Sequence, residues 1–166
     1  MKTILIIIFL FIFLNSFSQW TYYSKSDPFD GKYKSAYVIG ISDKFPYENP
    51  LFVINTFKKD SGNFNIYLSK VPCACCENLE IDIKFDNDDN IYELEGNTNS
   101  KKDIWFLKFD NKILHNDDNF ENYITFLSDI KIHSKMYIRL KNDCEEYDCE
   151  FSLLGSSKAI DFLNKN

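Results

Sequence analysis

The segment from Glu80 to Asp86 alternates strictly between charged and apolar residues, and this pattern constrains the fold more than any other feature of the chain. A β-strand points successive side chains to opposite faces, so this alternation is typical of a strand with one buried and one solvated face. A turn of Asp and Asn residues, 86–90, comes next, and Ile91–Glu95 alternates again. The two segments therefore predict a β-hairpin.

Short runs of alternating or apolar residues recur along the rest of the chain, separated by segments rich in Pro, Gly, Asp and Asn. The run Leu51–Phe57 is apolar almost throughout, which predicts a strand covered on both faces. The further predicted strands are Trp20–Ser24, Ser35–Ser42, Phe64–Leu68, Ile104–Phe109, Lys135–Leu140 and Cys149–Leu153.

Two segments have helical periodicity. The first follows the capping pair Asp118 and Glu121 and carries an apolar stripe of Phe120, Tyr123, Ile124, Leu127 and Ile130. The second follows Gly155, with Ser156 and Ser157 expected as its caps, and carries Ala159, Ile160 and Leu163. We predict a mainly β fold, an antiparallel β-sandwich or partly open barrel of about nine strands, with one inserted helix and a short C-terminal helix.

The first 18 residues have the three zones of a cleavable secretory signal. Lys2 precedes an apolar run, Ile4–Leu14, and the small residues Ser16 and Ser18 stand just before Gln19. The apolar run has 11 residues, whereas a membrane-spanning helix needs roughly 17–25. We therefore expect residues 1–18 to be removed after export, with membrane contact limited to this leader. Residues 19–166 are predicted to form a single β-rich domain in the periplasm or outside the cell.

The charge balance argues against a nucleic-acid partner. Of 19 Lys and Arg residues, only Lys2 lies in the leader, so the remaining chain carries 18 cationic and 25 anionic residues, a net charge of −7. Binding to a phosphate backbone needs clustered Lys and Arg that release counterions. No such basic stripe occurs in the sequence.

The order of several short motifs resembles a known group of families. Trp20 opens the first strand, Asp27-Pro28-Phe29-Asp30 follows, and further segments come in a similar order: Leu51–Ile54, Ile83–Asp86, Phe126-Leu127, Met136–Arg139, Phe151–Gly155 and Ala159-Ile160. This order resembles the exported accessory proteins associated with type VI secretion and the related invasion-associated β-domain proteins. The resemblance implies a β-sandwich without enzymatic activity. The cysteine arrangement departs from those families.

The chain has two clusters of cysteines, five residues in total: Cys73, Cys75 and Cys76, then Cys144 and Cys149. In an exported protein cysteines predict disulfides, and all five are candidates. A bridge between the clusters would close a loop of about 70 residues, which the chain-entropy model equates with about 4 kcal/mol. Neighbouring Cys75 and Cys76 are poorly placed to pair with each other. Because five is an odd number, one thiol stays free or pairs between molecules.

The same cysteines carry an alternative hypothesis. Cys73 and Cys76 have C-x-x-C spacing and Cys144 and Cys149 have C-x-x-x-x-C spacing, so four thiolates would suit zinc or monovalent copper. A thiol-redox role for Cys73 and Cys76 is the other form of this alternative. Catalytic thiols usually lie at a helix N-terminus, and nothing around Pro72 predicts a helix. We expect no cofactor and no resident metal.

The remaining candidate residues have simpler interpretations. His115 and His133 flank the predicted inserted helix and are too far apart to share a metal ion. The segment 86–90 resembles a calcium loop, but Ile91 stands where an EF-hand needs glycine, so a solvated turn is favoured. Tyr22, Tyr23 and Tyr37 would suit either a binding face or ordinary sheet positions.

No catalytic set emerges from these residues. We therefore predict a non-enzymatic exported domain that binds another protein or envelope component, or braces an assembly. The alternative is a cysteine-based metal-binding or thiol-redox protein of the periplasm.

Overall fold

A computed structural model of the chain describes residues 20–28, 31–42, 49–57, 64–71, 79–99, 104–109, 118–142 and 145–165. For residues 27, 57 and 118–122 it describes the backbone alone. The predicted leader, residues 1–18, lies outside this part of the chain. Four of the five cysteines and His115 lie outside it as well.

The described chain forms nine strands and two helices. In order they are β1 (Thr21–Asp27), β2 (Gly31–Ile39), β3 (Leu51–Phe57), β4 (Phe64–Ser69), β5 (Leu79–Phe85), β6 (Ile91–Thr98), β7 (Ile104–Lys108), α1 (Asp118–Ile132), β8 (Lys135–Lys141), β9 (Glu146–Ser152) and α2 (Ser156–Asn164). The prediction of a mainly β fold with about nine strands, one inserted helix and a C-terminal helix is confirmed.

All nine strands belong to one antiparallel sheet with the order β1-β2-β3-β4-β7-β6-β5-β8-β9. The prediction allowed a β-sandwich or a partly open barrel. The described strands form a single sheet that does not close into a barrel. β5 and β6 form the predicted hairpin, with Ile83 opposite Tyr92. β3 has both edges paired and buries consecutive residues on its two faces, as its composition predicts.

The inner face of the curled sheet carries the apolar core. Strand β5 shows most clearly how the sequence alternation produces this core. Its alternate residues Leu79, Ile81, Ile83 and Phe85 all point to the inner face and are buried. Further large side chains that are completely buried come from β3, β4, β7, α1, β8 and β9, among them Phe52, Ile54, Leu68, Trp105, Phe126, Ile130, Met136, Ile138 and Phe151. In β5 and β8, the alternate residues on the opposite, outer face are mostly polar.

Helix α1 covers part of this core through Phe126. The Phe126 ring lies 5.6 Å from that of Phe85, 5.2 Å from Tyr92 and 5.0 Å from Phe109. Aromatic pairs at such distances and tilts stabilise a core beyond the area they bury. Leu127 and Ile130 of the predicted stripe are buried, and Tyr123 packs against the core. Ile124 is 44% exposed instead, and the central contact comes from Phe126, which the predicted stripe did not include.

Two tyrosine hydroxyls fix the position of α1. The Tyr92 hydroxyl donates to Asp129 Oδ2 at 2.5 Å, and burial raises its pKa beyond the usual range. The Tyr123 hydroxyl donates to the carbonyl oxygen of Phe64 at 3.1 Å and accepts from the Phe64 N–H at 2.9 Å. Each hydroxyl joins the helix to a different strand, β6 or β4, so the helix cannot slide along the sheet without breaking one bond.

The start of α2 corrects the expected role of its two serines. Gly155, with φ 89°, is the residue before the helix, and no side chain caps the helix N-terminus. Instead, Ser156 Oγ donates to the Ile130 carbonyl at 2.6 Å and Ser157 Oγ to the Lys131 carbonyl at 3.2 Å. The serines therefore satisfy carbonyl groups at the end of α1, which would otherwise lack partners.

Lys34 binds the carbonyl groups at the C-terminal end of α2. This inner-face lysine of β2 is buried, and its Nζ donates to the carbonyl oxygens of Phe162, at 2.9 Å, and Lys165. The ammonium also lies 5.2 Å from the centre of the Phe162 ring. Desolvation by burial lowers the pKa of Lys34. A cation here complements the negative end of the helix dipole, which explains how the core accommodates a lysine.

Candidate binding site

The two ends of the sheet approach each other at a short seam. Beyond β2, Ile41 pairs with Glu150 of β9 in an antiparallel bridge, with N–O distances of 2.8 and 2.9 Å. Ser42 Oγ donates to the Asp148 carbonyl oxygen at 2.6 Å. Gly40 allows this approach, because a Cβ atom there would lie 2.5 Å from the Phe151 ring. The seam brings residues 41 and 42 onto the outer face of β9.

A groove of about 510 Å³ lies on the outer face beside this seam. Its walls come from the seam and from β5, β6, β8 and β9, which supply Ile41, Ser42, Asp82, Lys84, Ile91, Tyr137, Ile138, Arg139, Asp148, Cys149 and Glu150. We call this surface the outer groove.

The register of the strands places one continuous row across the outer groove. Ile91 lies opposite Lys84, Lys84 opposite Tyr137, Tyr137 opposite Glu150, and Glu150 opposite Ile41. The three apolar members of this row are unusually open to solvent: Ile41 is 63% exposed, Ile91 56% and Tyr137 41%. The row therefore offers alternating apolar and charged contacts to a ligand lying across the strands.

A second row of the outer groove is held by ion pairs. Arg139 Nε lies 2.8 Å from Asp148 Oδ1 and 3.1 Å from Glu146 Oε1. Lys141 Nζ lies 2.5 Å from Asp82 Oδ2, and this hydrogen bond raises the pKa of Lys141. Exposed pairs of this kind contribute about 0–1 kcal/mol each. Their main effect is to hold the long side chains in position.

Carboxylates are in excess toward β6. Asp82 lies directly opposite Glu93, and Glu80 directly opposite Glu95. Like charges facing each other across strands are destabilising. Of these four residues only Asp82 lines the outer groove, so the other three form an acidic border beside it. A ligand that extends over this border and brings positive charge would be favoured there.

The cysteine predictions fall mostly outside the described residues. Cys73, Cys75, Cys76 and Cys144 lie there, so the bridges between clusters and the four-thiolate metal site stay predictions. Cys149 is described, and it is a free, buried thiol rather than part of a disulfide. Burial raises its pKa to about 12, while a hydrogen bond between the Cys149 and Ser42 side chains works to lower it. In this setting Cys149 is a poor thiolate ligand and a poor nucleophile.

His133 occupies a structural position at the end of α1. Its ring stacks on Phe85 at 5.0 Å, and its Nδ1 lies 3.0 Å from the Asp129 carbonyl oxygen. Ring packing and a backbone contact account for this histidine. Among the described residues, no group of three or more His, Cys, Asp or Glu side chains is arranged to hold a metal ion.

The segment 86–90 is the turn of the β5–β6 hairpin, as predicted. Asp86 accepts hydrogen bonds from the N–H groups of Ser134 and Lys135, at 3.0 and 2.9 Å, and from the Ser134 hydroxyl at 2.5 Å. Burial works to raise the pKa of Asp86, but these hydrogen bonds hold it below its usual value. The Asn90 N–H donates to Asp88 Oδ1 at 3.0 Å, which is an Asx turn.

The three candidate tyrosines do not share one face. Tyr22 lies opposite Ala36 on the inner side of β1, and its ring packs 5.1 Å from Phe162. Tyr23 lies opposite Ser35, and Tyr37 opposite Val53, both on the outer face. Tyr22 is therefore a packing residue, and the other two belong to an outer aromatic surface.

The exposed members of the outer groove were not among the sequence candidates. One signal could have indicated Ile91: in the alternation of β6, Tyr92 and Leu94 take the inner face, so Ile91 is apolar on the wet face. Tyr137 is the corresponding exception in β8, between Lys135 and Arg139. Ile41 carries no local signal, because its role depends on a strand more than 100 residues away.

Comparison with protein-family models, with curated proteins and with solved structures finds no match for this chain. Neither described helix combines the length and apolarity that crossing a membrane requires.

Proposed function

We propose that this protein is a non-enzymatic binding domain that works outside the cytoplasm and uses the outer groove to bind a segment of another protein. The observation that carries this proposal is the row of exposed Ile41, Ile91 and Tyr137 inside a groove of about 510 Å³. Exposed apolar side chains gathered in a concave site are typical of interaction surfaces. An accessory role in an envelope assembly, as in the exported families that the sequence resembles, is one form of this proposal.

The charge beside the groove indicates the chemistry of the partner. Glu80 and Glu93 border the groove on the β5–β6 hairpin, where they face other carboxylates, and the chain as a whole has a net charge of −6. A segment that brings Lys or Arg beside apolar side chains would place cations against the carboxylates and cover the exposed isoleucines. Such complementarity mainly sets specificity and the rate of association.

Selection from a random linear peptide library tests this partner chemistry. Peptides that bind the purified protein are expected to be enriched in Lys and Arg next to apolar residues. Calorimetry should show that Tyr137→Ala weakens the selected peptides at least about tenfold, because truncating a central aromatic anchor removes a large share of the binding energy. Raising the salt concentration should weaken binding further.

Tyr22→Ala is the matched control, since Tyr22 is a comparably exposed tyrosine on the other side of the sheet. The control should bind the selected peptides like the unaltered protein. Selected peptides without basic residues, or equal affinity for the Tyr137→Ala variant, would refute the assignment of the partner to this groove.

The leader supports the proposed location. If residues 1–18 direct export and are then removed, protein recovered from its native source begins at Gln19 and is found in the periplasmic or culture fraction. Terminal sequencing by mass spectrometry of each fraction measures this. Protein that still begins at Met1 in the cytoplasmic fraction would contradict the proposal of export.

A further inference from the structure

A second surface lies on the outer face of the other half of the sheet. We call it the tyrosine face, and it consists of Tyr23, Tyr33, Tyr37, Tyr67 and Phe106. The register places Tyr37, Val53, Tyr67 and Phe106 side by side on β2, β3, β4 and β7. The rings of Tyr67 and Phe106 lie 5.4 Å apart, and those of Tyr23 and Tyr33 lie 6.1 Å apart.

The two ends of the tyrosine face are open to solvent, with Tyr23 50% exposed and Phe106 40% exposed. Between them, the floor is buried and carries no charge: Ser35, Val53 and Asn55 are each less than 7% exposed. Rings at the rim and neutral polar groups at the floor are the combination found in sites for small polar ligands.

Asn55 is the residue that points to a ligand. It is 6% exposed, and its Nδ2 donates to the Tyr33 hydroxyl over 3.4 Å, which is a long hydrogen bond. Its buried Oδ1 has no hydrogen-bond partner among the described residues. Leaving a buried carbonyl oxygen unpaired is energetically unfavourable. A donor that reaches this atom would recover that cost.

The neighbouring hydroxyls are suited to the same kind of ligand. The Tyr67 hydroxyl interacts with both Tyr33 and Asn55, and burial raises its pKa to about 12. It stays protonated in the ordinary pH range, so it can both donate and accept hydrogen bonds. The face thus presents aromatic rings, an amide and hydroxyl groups at one place, without a carboxylate or a cation between them.

We propose that the tyrosine face binds a neutral carbohydrate. A sugar ring presents C–H groups that pack on the exposed aromatic rings, while its hydroxyls lie at the edge and would donate to Asn55 Oδ1. A neutral ligand fits the uncharged floor of Ser35, Val53 and Asn55. Lys25, opposite Tyr33, is a cation at the rim of this face and does not reach the floor between the rings. This site is separate from the outer groove, which lies on β5, β6, β8, β9 and the seam.

An array of neutral and anionic glycans, followed by affinity electrophoresis in gels containing a soluble neutral polysaccharide of the selected type, tests the proposal. The protein is expected to bind at least one neutral glycan and to be retarded in the matching gel. Tyr23→Ala and Phe106→Ala should each weaken binding about tenfold, since both remove an exposed ring that a sugar would cover. Both changes are at the surface, and circular dichroism verifies the fold.

Tyr137→Ala is the matched control because it removes an exposed tyrosine from the outer groove and should leave retardation unchanged. Binding to anionic glycans only, no binding to any neutral glycan, or equal retardation of the Tyr23→Ala and Phe106→Ala variants and the unaltered protein would each overturn the proposal. A peptide selected on the purified protein that loses affinity with Phe106→Ala would reassign the face to protein binding. None of these outcomes tests the outer groove, which is tested separately by substitution of Tyr137.

Discussion

Replacing Phe126 with alanine is expected to lower the free energy of unfolding by about 3–5 kcal/mol, as truncation of a buried phenylalanine typically does. The Phe126 side chain is completely buried and contacts three aromatic rings, from β5, from β6 and from the segment after β7. Its loss leaves a cavity under α1 and removes all three ring contacts. Denaturant titration followed by circular dichroism measures the change.

Ile132→Ala is the control for this prediction, because Ile132 lies in the same helix and is 74% exposed. Its effect should stay within about 0.5 kcal/mol. Truncation of a core phenylalanine normally costs several times more than 1 kcal/mol. If Phe126→Ala lowers the free energy of unfolding by less than about 1 kcal/mol, the docking of α1 does not depend on the Phe126 ring.

Adding a single methyl group at Gly40 is the second large effect. Gly40→Ala is expected to destabilise the protein by about 1–3 kcal/mol, since the new Cβ would overlap the fully buried Phe151 ring. Backbone strain plays no part, because the φ of Gly40 lies outside the left-handed region. Ile39→Ala is the control, because Ile39 is the exposed last residue of β2 and precedes Gly40. Thermal unfolding of both variants separates crowding from a general effect of substitution at this end of β2.

A double-mutant cycle makes the Gly40 prediction specific. Shortening the ring in the Gly40→Ala background with Phe151→Leu should give a loss smaller than the sum of the two single losses, because the leucine makes room for the methyl group. Strict additivity would mean that Gly40 and Phe151 do not compete for the same space.

The strands and helices were predictable from the sequence because their signals are local. The alternation of Glu80–Asp86 reflects which face of the strand is buried, and the structure places it as expected. The helical stripe was correct for Leu127 and Ile130, but Ile124 is exposed and Phe126 takes the central place in the core. The start of β2 was predicted too late, at Ser35 rather than Gly31. There the inner-face position is a lysine, Lys34, and its burial depends on the carbonyl groups of α2, which no local pattern reveals.

The candidate sites were harder to predict because they depend on register between distant strands. The outer groove requires Ile91, Tyr137 and Ile41 to fall in one row, and the tyrosine face requires the alignment of five strands. Neither arrangement follows from periodicity within a strand. The role of Ser156 was missed for a similar reason: a serine before a helix normally caps it, but here the nearest unpaired carbonyl belongs to another helix.

The seam between Ile41 and Glu150 also affects the order in which the chain folds. Its two partners are separated by most of the polypeptide, so the ends of the sheet cannot meet until nearly the whole chain is available. Closing so long a loop is entropically costly, and folds dominated by distant pairings assemble slowly. We therefore expect the seam to form late in folding, after the pairings between strands that follow one another in the sequence.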